Sequence, residues 1–385
     1  MVNIQGRLLG LFAAVGCCIL VGCATQNPTA GNEILIGEYA SLTGTTATYG
    51  QSGHKGTLLA VEEINAKGGI LGKKIRVLTE DTQSKPEEAA SAVNKLINKN
   101  RVVAVLGEFA SSRSLAGAPI CQSSQIPMLS PGSTNPDVTK KGDYIFRNCF
   151  IDSFQGQVLA KFAFHTLKLR KVAILTDVKN DYSVGLTQFF KEKFIELGGE
   201  IVEEQSYTEG DTDFKSQLTA IKRKNPEAVL LPGYYTEAAL VLKQARALRI
   251  AVPFLGGDGW DSDQLLTVGG ADLNGCYFSN HYSADSDAPV VQDFVAAYKN
   301  KYQETPNSMA ALSYDGLKLL ADAIVRANST DPAKIRDALA QTRDFQGVTG
   351  RVSIDAERNA SKSAVILQIK DGKIQYYATV EPDSL

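Results

Sequence analysis

Val102-Val103-Ala104-Val105-Leu106 is an unbroken apolar run closed by Gly107. A strand apolar at every position has no face to offer water, so it belongs inside a parallel sheet with helices on both sides. The neighbouring sequence repeats the theme. Ile34-Leu35-Ile36-Gly37 reads as a strand, and 50–66 follows as a helix with Leu58, Leu59, Val61 and Ile64 at helical spacing. Lys67-Gly68-Gly69 supplies a base and glycines at its end. Ile75-Arg76-Val77-Leu78 is the next strand and 86–99 the next helix.

The rhythm restarts after Asp152. Helices are expected over 154–166, 184–197, 214–224 and 237–248, with strands at 172–176, 200–204, 228–231 and 253–256. Late helices fall near 289–302, 310–328 and 332–341. The tail changes to strands at 347–355, 364–370 and 373–379, with Asp371-Gly372 as a hairpin turn between the last two. Strands alternating with helices over this length predict an α/β chain, built as two Rossmann-like lobes with mostly parallel sheets.

The amino terminus is of another kind. A basic start ending at Arg7 is followed by a short apolar stretch, 8–20, and then Leu20-Val21-Gly22-Cys23. The stretch is shorter than the roughly 20 residues of a membrane-spanning helix. Its order is that of a secretory signal, and cysteine directly after Leu-Val-Gly is the pattern of a bacterial lipoprotein. Residues 1–22 are therefore expected to be a signal peptide, Cys23 a lipid anchor and 23–32 a polar tether. The mature protein would work in the periplasm or at the cell surface, held to a membrane by its lipid alone.

Composition excludes several functions. A formal charge of −2, with bases and acids intermingled, leaves no footprint for nucleic acid. His54, His165 and His281 are far apart and stand at no metal-ligand spacing. They read as surface residues or as supports behind a site. No phosphate loop, zinc motif or nucleophile elbow occurs, so neither a metal, a cofactor nor catalysis is expected. Processing would leave Cys121, Cys149 and Cys276, and an oxidising compartment permits a Cys121–Cys149 disulfide.

The chemistry that is present lies where strands end. Gly107-Glu108-Phe109-Ala110-Ser111-Ser112 and Ser130-Pro131-Gly132-Ser133-Thr134-Asn135-Pro136 are polar loops following strands of the first half. Ligands of open α/β sheets sit at such carboxyl ends. Loop amides and hydroxyls at a helix start suit a carboxylate. Strand ends of the second half carry Asp181-Tyr182, Gly233-Tyr234-Tyr235, Asp258 and Trp260. An acid among aromatic rings suits an ammonium with an apolar body.

Ile64-Asn65-Ala66-Lys67-Gly68-Gly69-Ile70, the Ser130–Pro136 loop and Gly233-Tyr234-Tyr235 carry a resemblance. The chain resembles the periplasmic branched-chain amino-acid binding proteins that feed ABC transporters, from about Ile34 to the last strand. The resemblance implies two lobes joined by three crossovers, with the ligand between them. Lobe 1 would comprise 33–152 and 281–356, and lobe 2 would comprise 153–280 and 357–385. It implies that Ser111 and Thr134 hold a carboxylate and that the Gly132 carbonyl and Asp258 take an ammonium. Tyr182 and Tyr234 would close over the ligand, and Tyr49 would flank its side chain. Better-known members carry glutamate where Asp258 stands, and Ala110 replaces one cysteine of the family's small disulfide. The implied function is amino-acid capture, of leucine, isoleucine or valine, by a monomer that delivers to a membrane permease. Another amino acid or amide is the alternative, with Phe109 and Trp260 reshaping the pocket. A ligand sensor for a signalling partner is a further one.

Overall fold

A computed structural model describes residues 31–381; the signal segment 1–22 and Cys23 lie outside the described residues. The first sheet is formed by β1 (Glu33–Ala40), β2 (Lys74–Asp81), β3 (Ala104–Leu106), β4 (Met128–Ser130) and β5 (Ile145–Arg147). Its order is β2-β1-β3-β4-β5, parallel throughout. Connections run through α1 (Ala47–Ala66), α2 (Pro86–Asn94) and α3 (Ser111–Ser123).

The uninterrupted apolar run has its reason here. Ala104 and Leu106 pack into a core with Leu59, Leu317 and Ile324, whereas Val105 between them packs into another with Val93, Ala118 and Met128. Alternate side chains thus enter opposite layers, and neither layer meets water.

The second sheet follows α4 (Asp152–Lys161). It comprises β6 (Lys171–Asp177), β7 (Glu200–Tyr207), β8 (Ala228–Leu230), β9 (Phe254–Gly256) and β10 (Tyr277–Asn280). Helices α5 (Asp181–Glu196), α6 (Lys215–Arg223), α7 (Tyr235–Ala247) and α8 (Asp263–Gly269) lie between these strands in sequence. The chain then returns to the first core with α9 (Pro289–Tyr302), α10 (Ser308–Ala327) and α11 (Pro332–Ala340). A small antiparallel sheet, β11 (Phe345–Gly347), β12 (Gly350–Ile354) and β13 (Ala360–Ser361), follows. Finally β14 (Ala364–Lys370) and β15 (Lys373–Val380) complete the second sheet, in the order β15-β14-β10-β9-β8-β6-β7. These two strands are antiparallel to their neighbours and joined at Asp371-Gly372, as the turn residues predict. The chain therefore passes between the sheets after β5, after β10 and between β13 and β14.

The expected Cys121–Cys149 bridge is not formed. Cys121 lies in α3 in the core beside Val93 and Ala118, and Cys149 follows β5 in the core of the second sheet. Both are buried free thiols, as is Cys276. The two side chains lie in different core clusters. Burial pushes the Cys149 thiol up to about 12 and Cys276 to about 11, so neither is a reactive thiolate at neutral pH.

Candidate functional site

The carboxyl ends of both parallel sheets face one cleft. After β4 the chain enters the Ser130–Pro136 loop, whose shape is set from below by Arg147 at the end of β5. The Arg147 side chain is fully buried; its guanidinium donates to the Ser133 carbonyl and, at 2.8 Å, to the Asn135 carbonyl. Ser130 Oγ donates to the Glu108 carbonyl at 2.7 Å and accepts from Ser133 N at 2.9 Å, tying this loop to the one after β3. At Gly132 an added Cβ would stand 2.6 Å from the Phe109 ring, so glycine is required for the two loops to meet.

Between the lobes lies a very small cavity of about 10 Å³, walled by Tyr49, Gly132, Thr134, Tyr182, Tyr234 and Asp258 together with Phe109, Gly259 and Met309. The structure thus brings together every candidate contact except Ser111. That residue opens α3 beside the cavity, and its Oγ accepts from Asn135 N at 3.2 Å. Tyr182 and Tyr234 lie parallel with ring centroids 5.6 Å apart, and Tyr49 meets Tyr234 edge-on at 5.6 Å. Burial holds the phenols of Tyr49, Tyr182 and Tyr234 well above their ordinary pKa, so all three are neutral. The Tyr49 hydroxyl donates to the Gly259 carbonyl, and the Tyr182 hydroxyl accepts from Gly259 N at 3.2 Å.

Trp260 departs from expectation. Its indole is fully buried against Gly256, with Nε1 donating to the Leu231 carbonyl at 3.1 Å, so it supports the second sheet and does not shape the cavity. Phe109, by contrast, does form part of the wall.

Asp258 is the one acid on the wall. Gln155 Nε2 donates to its Oδ1 at 2.7 Å, and His281 Nε2 lies 3.0 Å from Oδ2. Nearby, Asp152 at the start of α4 is fully buried. Neither of its carboxylate oxygens meets a donor at bonding geometry, although the Thr134 hydroxyl lies near enough to favour the charge slightly. Burial first, and then the Asp258 carboxylate, hold the Asp152 pKa well above the usual range. Sequence reasoning had no signal for Asp152 or Gln155, which open an ordinary helix. It placed His281 only as surface or support, because β10 before it is too short to stand out.

The lobes also touch around the cavity. Arg113 NH2 meets Glu209 Oε1 at 3.2 Å, Thr236 Oγ1 donates to the Thr45 carbonyl at 2.8 Å, and Asn135 Nδ2 donates to the Asp181 carbonyl at 2.8 Å. These bonds and the small volume describe a closed cleft. Among the described residues no group of side chains is arranged to hold a metal ion, and no helix is long and apolar enough to cross a membrane.

Residues 33–373 match the family described as periplasmic binding protein. The chain belongs to the periplasmic binding protein family. A Leu/Ile/Val-binding protein homolog of Brucella abortus is 31% identical over 373 residues, spanning 95% of this chain and 98% of its own. Two solved periplasmic binding proteins are similar throughout. A leucine binding protein from Thermotoga maritima has a TM-score of 0.88 and 40% identity, covering 91% of this chain and 100% of that one. A branched-chain amino-acid transporter substrate binding protein from Streptococcus pneumoniae, solved in complex with isoleucine, has a TM-score of 0.86 and 37% identity over the same shares. Membership of this family places the working location outside the cytoplasm, and the relatives are by name binding proteins for leucine or branched-chain amino acids, one of them the substrate binding protein of a transporter.

Proposed function

We propose that this protein is the solute-binding component of an ABC importer and captures a free branched-chain amino acid, leucine, isoleucine or valine. The observation that carries this reading is the division of labour across the cavity. Thr134 and the Gly132 carbonyl stand on the first lobe, Asp258 on the second, and tyrosine rings lie between. In this reading the ligand carboxylate bonds to Thr134 and to Ser111, which would turn its hydroxyl from Asn135 to the ligand. The ammonium bonds to Asp258 and to the Gly132 carbonyl, and the aliphatic chain lies against Tyr49, Tyr234 and Phe109.

Both poles of a zwitterion lose water on entry, and hydrogen bonds to charged groups return about 1.5–3 kcal/mol each. Two or three at each pole, with about 0.8 kcal/mol per buried CH₂, support binding near −8 kcal/mol, about micromolar. Because the ammonium's charge partner, Asp258, stands on the lobe opposite the carboxylate's, the full contact set forms only in the closed state, which a permease then distinguishes from the open one. The lobes 33–152 with 281–356 and 153–280 with 357–385 would move about the three passages between the sheets. A lipid on Cys23 would hold a monomer at the membrane beside its permease, and no bond of the ligand is made or broken.

Phe109 supports a second reading, a smaller amino acid, since its ring fills the space over Gly132. A thermal-shift screen over the common amino acids, followed by calorimetry, tests both. Leucine, isoleucine or valine should give the largest shift. Asp258→Asn should weaken binding by two orders of magnitude or more, about 3 kcal/mol for a lost ion pair in a closed site. Unchanged affinity in that variant would remove the central contact.

A further inference from the structure

Asp258 is short for its task and is held from behind. His281 stands directly after β10, its side chain fully buried, with Nε2 at 3.0 Å from Asp258 Oδ2. Its ring stacks on Phe150 with centroids 3.6 Å apart and planes 26° apart, which fixes its orientation. Gln155 donates to the other oxygen at 2.7 Å. A carboxylate only accepts, so in the neutral ring it is Nε2 that carries the hydrogen; Nδ1 is buried without a partner.

We propose that His281 is the positioning residue that fits Asp258 to the ammonium pole of the ligand and thereby sets the preference for amino acids over their deaminated counterparts. This rests on the reading of Asp258 as the ammonium partner. A carboxylate offers about four lone-pair sites. His281 and Gln155 take one on each oxygen and stop the group from rotating. The sites left over serve the ligand. A neutral donor suits the role, because it orients the carboxylate without cancelling its charge. A histidinium in the same place would oppose the ligand's own cation.

The surroundings favour the neutral form. Burial lowers the His281 pKa, and Lys362 acts in the same direction, while Asp258 and Asp261 act against it. Phe150 covers one face of the ring. Protonation on acidification should therefore weaken amino-acid binding, at a pH below the ordinary histidine range.

The test uses His281→Phe, which keeps a ring against Phe150 and deletes the donor, and His281→Gln, which restores a donor that does not titrate. Calorimetry measures the wild-type protein and both variants between about pH 4.5 and 8, a window that extends below the range in which histidines ordinarily titrate. The ligands are the amino acid with the largest thermal shift and its α-keto acid. In His281→Phe the amino acid should bind about tenfold more weakly, about 1.4 kcal/mol, with the keto acid little changed. His281→Gln should recover most of the loss, and its affinity should no longer fall in acid. If the Phe variant fails to fold, the flat acid profile of the Gln variant carries the test. Equal weakening of both ligands, unchanged amino-acid affinity, or an acid fall that persists in His281→Gln would overturn the proposal. A wild-type protein that binds both ligands alike would instead remove the reading of Asp258, and this inference with it.

Discussion

Asp152 shows what a single buried acid costs. Its carboxyl is fully buried, close to Asp258 and without a hydrogen-bond donor at bonding geometry, so its pKa is raised, with burial the chief cause. A carboxyl raised in the native state binds a proton more tightly there than in the unfolded chain. The native protein is therefore penalised fully above the folded pKa and not at all below the ordinary value of about 3.9. Asp152→Asn should stabilise the ligand-free protein by about 1–3 kcal/mol near neutral pH, with the gain fading as pH falls toward about 4. Thermal unfolding across that range checks it; a gain of the same size at every pH would contradict the account. The native acid is retained at this cost beside the site where a cation is expected. A cation bound beside it would favour its charged form and recover part of that cost. Nothing at position 152 in the sequence announces this, because an acid in the first turn of a helix is commonplace.

At the scale of elements, α1 and α10 of the first lobe approach closely. A Cβ at Gly56 would stand 2.0 Å from the Ala310 carbonyl oxygen, so the helices touch backbone to backbone there. Gly56→Ala should push them apart and destabilise the protein by about 1–3 kcal/mol, read from urea unfolding. No loss would mean that the helices are free to separate. The approach of these helices was not legible in the sequence, since Gly50 to Ala66 reads simply as an amphipathic helix. The parallel strands were legible, because β3 and β8 are apolar at each position and only two-sided burial explains that. The short strands β5 and β10 escaped notice for the opposite reason: each is only three or four residues long and borrows its burial from neighbours. Loops at strand ends were legible as candidate contacts through their glycines and hydroxyls. Trp260 was misjudged because a tryptophan beside an acid reads as a pocket wall until Gly256 shows the indole lying under the sheet. The cysteine pair failed similarly, for compartment permits a bridge whose geometry only the fold decides.

For the whole molecule, the two lobes meet through contacts that are individually modest. Arg113 with Glu209, Thr236 with the Thr45 carbonyl and Tyr49 with the Gly259 carbonyl all cross the cleft. None of these can replace a ligand bridging Thr134 and Asp258, since the cavity between them is otherwise lined by apolar and aromatic groups. In the proposed reading closure and capture are one event, and the shape of the protein reports its occupancy. A crystal structure grown with L-leucine tests this most directly. The account predicts one leucine inside the cavity, its ammonium within about 3 Å of Asp258 and the Gly132 carbonyl, and its carboxylate on Thr134 and Ser111. A leucine bound outside the cavity, or held by one lobe alone, would contradict it.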